Sequence, residues 1–301
     1  MSSSYSVTQH HYASDKTLNV FIPRSVEPIG CILYFHGGAW VSGSALISIE
    51  VASMMVRYRY TVVCPNYTLT KSRKIESVKN SIVYLILLIP TGYYAIMKCT
   101  KSAFRKILVF LSVLLVILIL FELGTGFNKA PVGSYPENIR DAEKSLAWTL
   151  QNISVANEQL FLMGHSAGAH IAALLTNTTT YTISGAILLS GIYMYEYMNH
   201  PLLSLLRSEV FHDRKDAFSE FHVKRGLPPH LLCSAALDYG LQNQARTYTG
   251  VLQEHGVDAS HIVFSKNNHY SIRRQWDTSN HRVLSSILSF MRTASNIKKL
   301  P

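Results

Sequence analysis

The chain is poor in charge, in cysteine and in anything that repeats. Only 15% of its 301 residues are charged against 48% hydrophobic, a balance that excludes a disordered solvating tail and a long charged coiled coil. Ten prolines are too few for a collagen-like chain, and no internal repeat is visible. The four cysteines, Cys31, Cys64, Cys99 and Cys233, stand far apart and form no C-x-x-C pair. Neither a disulfide scaffold nor a metal site is therefore expected, and buried reduced thiols are. Residues 1–6 show neither a basic n-region nor an apolar h-region, so no cleavable signal peptide is expected. At roughly 100–200 residues per domain, the length allows one large domain or two small ones.

What the chain has in excess is positive charge, and most of it is local. The net charge is +10, and Lys71, Arg73, Lys74, Lys79, Lys98, Lys101, Arg105 and Lys106 stand against one acid, Glu76, in a single stretch. These charges bracket the most apolar part of the sequence, residues 82–97 and 107–123, and the mean hydropathy of the whole chain is positive at +0.13. Basic residues flanking apolar runs fit an anionic lipid surface, and nucleic acid is not expected as a partner. The second run is apolar on every side, as in a buried core helix or a membrane segment, and its length sits at the low end of the roughly 17–25 residues that span a bilayer. Pro90-Thr91-Gly92 interrupts the first. Tyr84, Tyr93, Tyr94, Phe104 and Phe127 stand near the ends, where interface anchors would. Between Ile82 and Leu123 the favoured expectation is a membrane-inserted hairpin of undetermined sidedness, so a membrane-associated protein. An apolar cap on a cytoplasmic protein, or residues that are not native to the chain, are the other two readings.

Outside this stretch, short apolar runs followed by turn chemistry alternate with helical patterns, which predicts an α/β fold with a mainly parallel sheet. Strands are expected at 31–35, 61–65, 160–164, 185–190, 231–236 and 261–265. Ser134-Tyr135-Pro136-Glu137 reads as a capping box opening a helix that presents Ile139, Ala142, Leu146 and Leu150 on one face. The expected organisation is residues 1–75 with 131–301 as one α/β domain, and 76–130 as an apolar helical insert.

Gly164-His165-Ser166-Ala167-Gly168 lies between a strand and a run of small aliphatic residues. That is the setting of a nucleophile elbow, a tight turn in which glycines on either side of a serine admit neighbouring backbone. The N–H of Ala167, at the helix start, can face a developing oxyanion. Upstream, His36-Gly37-Gly38-Ala39-Trp40 follows another strand, and Gly37 and Gly38 are the candidate further donors of an oxyanion hole. Trp40 is either a pocket wall or a core residue. A serine nucleophile needs a base and an orienting acid, and this architecture takes them in the order serine, acid, histidine. Asp238 and His269 both follow strand runs, at the sheet edge where open α/β sheets carry their sites. Asp258 and His255 fall in a turn before a strand, His261 falls at a strand start, and Asp213, Asp216 and Asp277 follow no strand.

Together these motifs resemble the α/β-hydrolase fold, specifically the branch related to hormone-sensitive lipase, over about residues 18–75 and 131–295. The longer string running to Ala169 and His170 also resembles the kynurenine formamidase and prenylcysteine methylesterase groups. The resemblance implies cofactor-free hydrolysis of carboxylic esters or arylformamides through an acyl-enzyme. Ser166 would be the nucleophile, His269 the general base, Asp238 its orienting carboxylate, and Gly37, Gly38 and Ala167 the oxyanion donors. A non-catalytic, membrane-associated interaction protein on the same fold is the reading from another class. The chain departs from the family in having Asn66-Tyr67-Thr68 where D-Y-R is usual, Asn267-Asn268 before His269 where a glycine is common, and the apolar insert. Three Asn-x-Ser/Thr sequons, at Asn66, Asn152 and Asn177, matter only for a lumenal domain, and Asn66 is expected to be buried.

Overall fold

A computed structural model describes residues 5–97, 107, 109, 111–120, 130–157, 159–199, 201–274, 276 and 281–295. Two compact units emerge: one formed by Met1–Leu69, Tyr135–His200 and Asp213–Pro301, the other by Thr70–Ser134 and Pro201–His212.

The first unit is built on an eight-stranded sheet in the order β1-β2-β4-β3-β5-β6-β7-β8. Its strands are β1 (Tyr5–Ala13), β2 (Lys16–Pro23), β3 (Gly30–Phe35), β4 (Tyr60–Pro65), β5 (Leu160–His165), β6 (Gly185–Leu189), β7 (His230–Leu237) and β8 (Ala259–Asn268). From β4 across to β8 every pairing is parallel, while β1 and β2 add an antiparallel edge. The central strands β3, β4, β5 and β6 are buried along their whole length. Continuous apolar strands buried on both faces are what a parallel sheet with helices on each side requires. Its helices are α1 (Ile49–Met55), α3 (Glu137–Asn152), α4 (Ala167–Thr178), α6 (Leu241–Glu254) and α7 (His281–Ala294), with α2 (Arg73–Met97) and α5 (Pro201–Phe211) in the other unit. All six expected strands form. The last runs on through Lys266-Asn267-Asn268, residues whose polarity suggested a loop, because Asn268 pairs with Leu237 beyond a register shift in β7.

The capping box at Ser134 does not form. Pro136 occupies the cap position of α3 without a side-chain bond, and Ser134 Oγ instead lies 2.6 Å from His212 Nε2. Ile139, Ala142 and Leu146 are buried as the periodicity requires. Where the usual charged pair is missing from Asn66-Tyr67-Thr68, other bonds brace the chain, and Thr68 donates its N–H and its hydroxyl to Asp141 Oδ2 at 2.9 and 2.5 Å. Asn66 is partly buried, accepts from the Ala45 N–H at 2.7 Å and donates to Thr17 Oγ1 at 3.0 Å, and Tyr67 donates to the His36 carbonyl at 2.8 Å. Of the other sequons, Asn152 is exposed, whereas Asn177 is buried and donates to the Ser219 carbonyl and the Tyr248 hydroxyl.

The second unit contains α2 (Arg73–Met97), which continues through Pro90, and α5 (Pro201–Phe211). Its two ends are tied to each other by paired backbone bonds, Lys71 N–H to the Val132 carbonyl at 2.8 Å and Val132 N–H to the Lys71 carbonyl at 3.0 Å. Buried Glu209 of α5 accepts from Ser72 Oγ at 2.6 Å and from Lys74 Nζ at 2.9 Å. Residues 111–120 are helical. The membrane-spanning hairpin expected between Ile82 and Leu123 is not supported: among the described residues no helix is long and apolar enough to cross a membrane. The start of α2 carries Arg73, Lys74, Glu76 and Lys79. Residues 98–106, 108, 110 and 121–123 of the apolar stretch and its surroundings, with Cys99, Phe104, Phe127 and Asp277, lie outside the described residues.

Phe161, near the start of β5, is fully buried and packs edge-on against Tyr60 and Phe290. Phe161→Ala is expected to cost about 3–5 kcal/mol of folding stability, measured as a lowered urea midpoint with an unchanged slope.

Candidate active site

Ser166 sits where β5 turns into α4, with φ 55° and ψ −120°. A non-glycine residue at positive φ is strained by about 1–3 kcal/mol and persists only where its surroundings enforce it. Here the Ser166 N–H donates to the Leu189 carbonyl of β6 at 2.8 Å, and the glycines on either side let backbone close in. A Cβ on Gly164 would meet the Gly168 carbonyl oxygen at 2.2 Å, and one on Gly168 would meet the Phe35 carbonyl oxygen at 2.0 Å. The elbow is therefore packed directly against the end of β3.

That contact brings in the second motif. Gly37 follows β3 and lies so near the elbow that a Cβ there would be 3.2 Å from Ser166 Cβ. Among the described residues, the N–H groups of Gly37, Gly38 and Ala167 have no hydrogen-bond partner. They remain available to an anion beside the serine hydroxyl.

Asp238 and His269 follow β7 and β8, whose neighbouring ends bring them together. His269 Nδ1–H donates to Asp238 Oδ1 at 2.6 Å, and Ser166 Oγ–H donates to His269 Nε2 at 3.0 Å. Asp238 is fully buried, its second oxygen accepting from the Ala235 N–H at 3.1 Å, and the His269 N–H reaches the Leu237 carbonyl at 3.1 Å. Each carboxylate oxygen thus has a donor, and the imidazole is held in the tautomer that leaves Nε2 free to accept a proton.

Around this run lie imidazoles kept neutral by burial. His165 Nε2–H donates to the His269 carbonyl at 2.7 Å, and its ring centre is 4.9 Å from that of His269. Burial, with the nearby His269 second, pushes the His165 imidazole down to about 3. His36 and His170 are pushed down to about 4 by burial. Trp40 is fully buried, with its indole N–H on His170 Nδ1 at 3.3 Å. It is a core residue and not a pocket wall, because its ring is consumed by packing against the His170 that closes the elbow helix onto the Ala217 carbonyl.

A cavity of about 320 Å³ opens beside Ser166, lined by Gly37, Gly38, Val41, Ile47, Tyr270 and Arg273 among others. Such a volume is at the small end of ligand pockets. The described residues hold no cluster of His, Cys, Asp and Glu able to bind a metal, and the described cysteines, Cys31, Cys64 and Cys233, are buried free thiols. Among the wall residues that the sequence did not single out are His165 and Arg273. His165 was read only as the variable position of the elbow, and Arg273 stands four residues past His269 with no motif to mark it.

The chain carries the alpha/beta-hydrolase fold, and residues 125–273, which include Ser166, Asp238 and His269, match the model of the alpha/beta-hydrolase-fold family. Its structure resembles an esterase from Pyrobaculum calidifontis (TM-score 0.65, 16% identity, covering 97% of this chain and 85% of that one). It also resembles esterase 2 of Thermogutta terrifontis (TM-score 0.65, 15% identity, 99% and 97%) and a bacterial heroin esterase (TM-score 0.66, 14% identity, 97% and 84%). In sequence it is 27% identical to a kynurenine formamidase of Danio rerio over 221 residues (69% of this chain, 73% of that protein). It is 26% identical to an isoprenylcysteine alpha-carbonyl methylesterase of Arabidopsis thaliana over 176 residues (48% and 41%).

Four buried histidines, His36, His165, His170 and His230, are held neutral in the folded protein at about 4, 3, 4 and 4. Unfolded, each would titrate near 6.5, so below that pH the unfolded chain binds protons that the folded one refuses. Their stabilisation is complete above about pH 6.5 and is lost as pH falls toward 4, by up to about 1.4 kcal/mol per pH unit for each imidazole. Calorimetric Tm is expected to fall steeply across that window, and His170→Gln is expected to shallow the slope.

Proposed function

We propose that this chain is a serine hydrolase that cleaves carboxylic ester bonds of small or lipophilic substrates through an acyl-enzyme. The observation that carries this reading is the hydrogen-bonded run from Asp238 through His269 to Ser166, at 2.6 and 3.0 Å, which ends at a cavity beside unpaired amides. Ser166 Oγ attacks the ester carbonyl while His269 Nε2 takes its proton. Asp238 holds the imidazole in place and stabilises the imidazolium. The carbonyl oxygen gains the negative charge and is received by the N–H groups of Gly37, Gly38 and Ala167. Collapse of the tetrahedral adduct breaks the bond to the alcohol oxygen, which receives the proton from His269. Water, deprotonated by the same imidazole, then releases the acid and restores Ser166. His165 stays neutral throughout, so it adds no positive charge against the imidazolium.

A fluorophosphonate probe is expected to label the protein and to fail on Ser166→Ala. Ser166→Ala and His269→Ala are each expected to lower turnover of 4-nitrophenyl acetate by about 10⁴-fold or more, with Asp238→Asn comparable. Labelling that persists in Ser166→Ala would refute the assignment.

Hydrolysis of an arylformamide by the same residues is the second reading, favoured by the formamidase relative. It requires the same attack and differs only in the leaving group, an aryl amine in place of an alcohol. Parallel turnover of 4-nitrophenyl acetate and N-formylkynurenine separates the two by the ratio of their kcat/KM values.

The second unit is assigned contact with an anionic lipid surface. Large apolar side chains stand exposed on α2, at Ile82, Val83, Leu85 and Ile86, and along the second run from Ile107 and Val109 to Leu120. Exposed apolar surface of this extent marks an interaction site, and the excess of eight bases over one acid in the same stretch complements anionic headgroups. The protein is expected to co-sediment with vesicles of phosphatidylserine and phosphatidylcholine, and to stop doing so when residues 76–130 are replaced by a short Gly-Ser linker. Undiminished sedimentation of the shortened protein would overturn the assignment.

A further inference from the structure

The cavity beside Ser166 has one permanently charged residue among its described wall residues, Arg273. Its side chain is 9% exposed, so a guanidinium has been taken almost wholly out of water, at a cost that needs compensation. Little is provided. Of its five N–H donors, one reaches the Ile47 carbonyl at 3.2 Å. The nearest carboxylate, Glu50 Oε2, lies 3.7 Å away, is half exposed, and also lies 3.3 Å from Arg274 Nε. The other titratable groups on the cavity wall supply no countercharge. His165 is neutral, His269 is committed to Asp238, and Tyr270 is a phenol. Asp238 is buried behind His269 with both oxygens already bonded.

We propose that Arg273 is a specificity-determining residue that selects substrates bearing a carboxylate close to the bond that is cleaved. This rests on Ser166 being the nucleophile and adds the substrate class. A carboxylate matches the planar fork of a guanidinium and completes the donors left over by Ile47 and Glu50. The cavity volume sets the spacing: a sphere of about 320 Å³ is about 8–9 Å across, so a carbonyl at Ser166 and a carboxylate at Arg273 are separated by a short aliphatic spacer or one aromatic ring. A neutral ester of the same size reaches the oxyanion donors equally well but brings no acceptor of opposite charge to the mostly buried guanidinium, which is a discrimination against it.

The test compares anionic esters with neutral isosteres on both sides of the scissile bond. On the alcohol side 4-acetoxybenzoate is set against 4-acetoxybenzamide, and on the acyl side monomethyl succinate is set against methyl succinamate. For at least one pair the wild-type protein is expected to favour the anionic ester by about tenfold or more in kcat/KM, the scale of one charge-assisted hydrogen bond. Arg273→Gln, which keeps an amide donor for the Ile47 carbonyl, is expected to erase that ratio, and Arg273→Lys to recover part of it. Isothermal titration of the alcohol-side pair into Ser166→Ala, with and without Arg273→Gln, reads the same preference without turnover. If binding prefers the anion only when Arg273 is present but no ester is hydrolysed, the hydrolase reading fails and the anion site stands. If esters are hydrolysed with a ratio that Arg273→Gln leaves unaltered for both pairs, and binding shows no preference, the anion site is overturned.

Discussion

The structure turns on one close approach. The backbone of Gly168, in the first turn of α4, lies against the Phe35 carbonyl at the end of β3, so near that a single methyl would sit 2.0 Å from that oxygen. This contact holds the two motifs at one point in space. Without it the elbow would still present a hydroxyl, but the amides after β3 would be elsewhere. The strained φ of Ser166 is sustained by the same packing and by the bond to Leu189. Parallel pairing of β5, β6, β7 and β8 then delivers the acid and the imidazole, because all four strands end on the same edge of the sheet.

Polarity inside this site is managed by neutrality as much as by pairing. Three histidines around the elbow, His36, His165 and His170, are kept uncharged by burial, and each spends an N–H on a backbone carbonyl. They act as rigid, uncharged struts. Among the described residues lining the cavity, the one permanent charge is the Arg273 guanidinium, while the Asp238 carboxylate lies behind the imidazole.

Much of this was legible in the sequence. Ser166, Asp238 and His269 were named from strand-following positions and chain order, and the structure places them in hydrogen-bonding contact. Central strands were readable because burial on both faces leaves continuous apolar runs. β1 was not, since Tyr5–Ala13 is an edge strand with a mostly exposed centre and carries no apolar alternation. The capping box misled because Ser134 is engaged by His212, 78 residues away, a partner that no local pattern contains. Arg273 and the structural role of Trp40 escaped for a related reason: which face of a wall a side chain joins is decided by tertiary packing, and one residue type serves both.

The bridge between Lys71 and Val132 has a thermodynamic corollary. With its two ends fastened to one another, the 60 residues between them form a closed loop, and the conformational entropy lost in closing such a loop grows only logarithmically with its length, by about 0.6 kcal/mol per doubling. Lengthening or trimming the stretch between Lys71 and Val132 therefore changes the entropic cost of closing it very little.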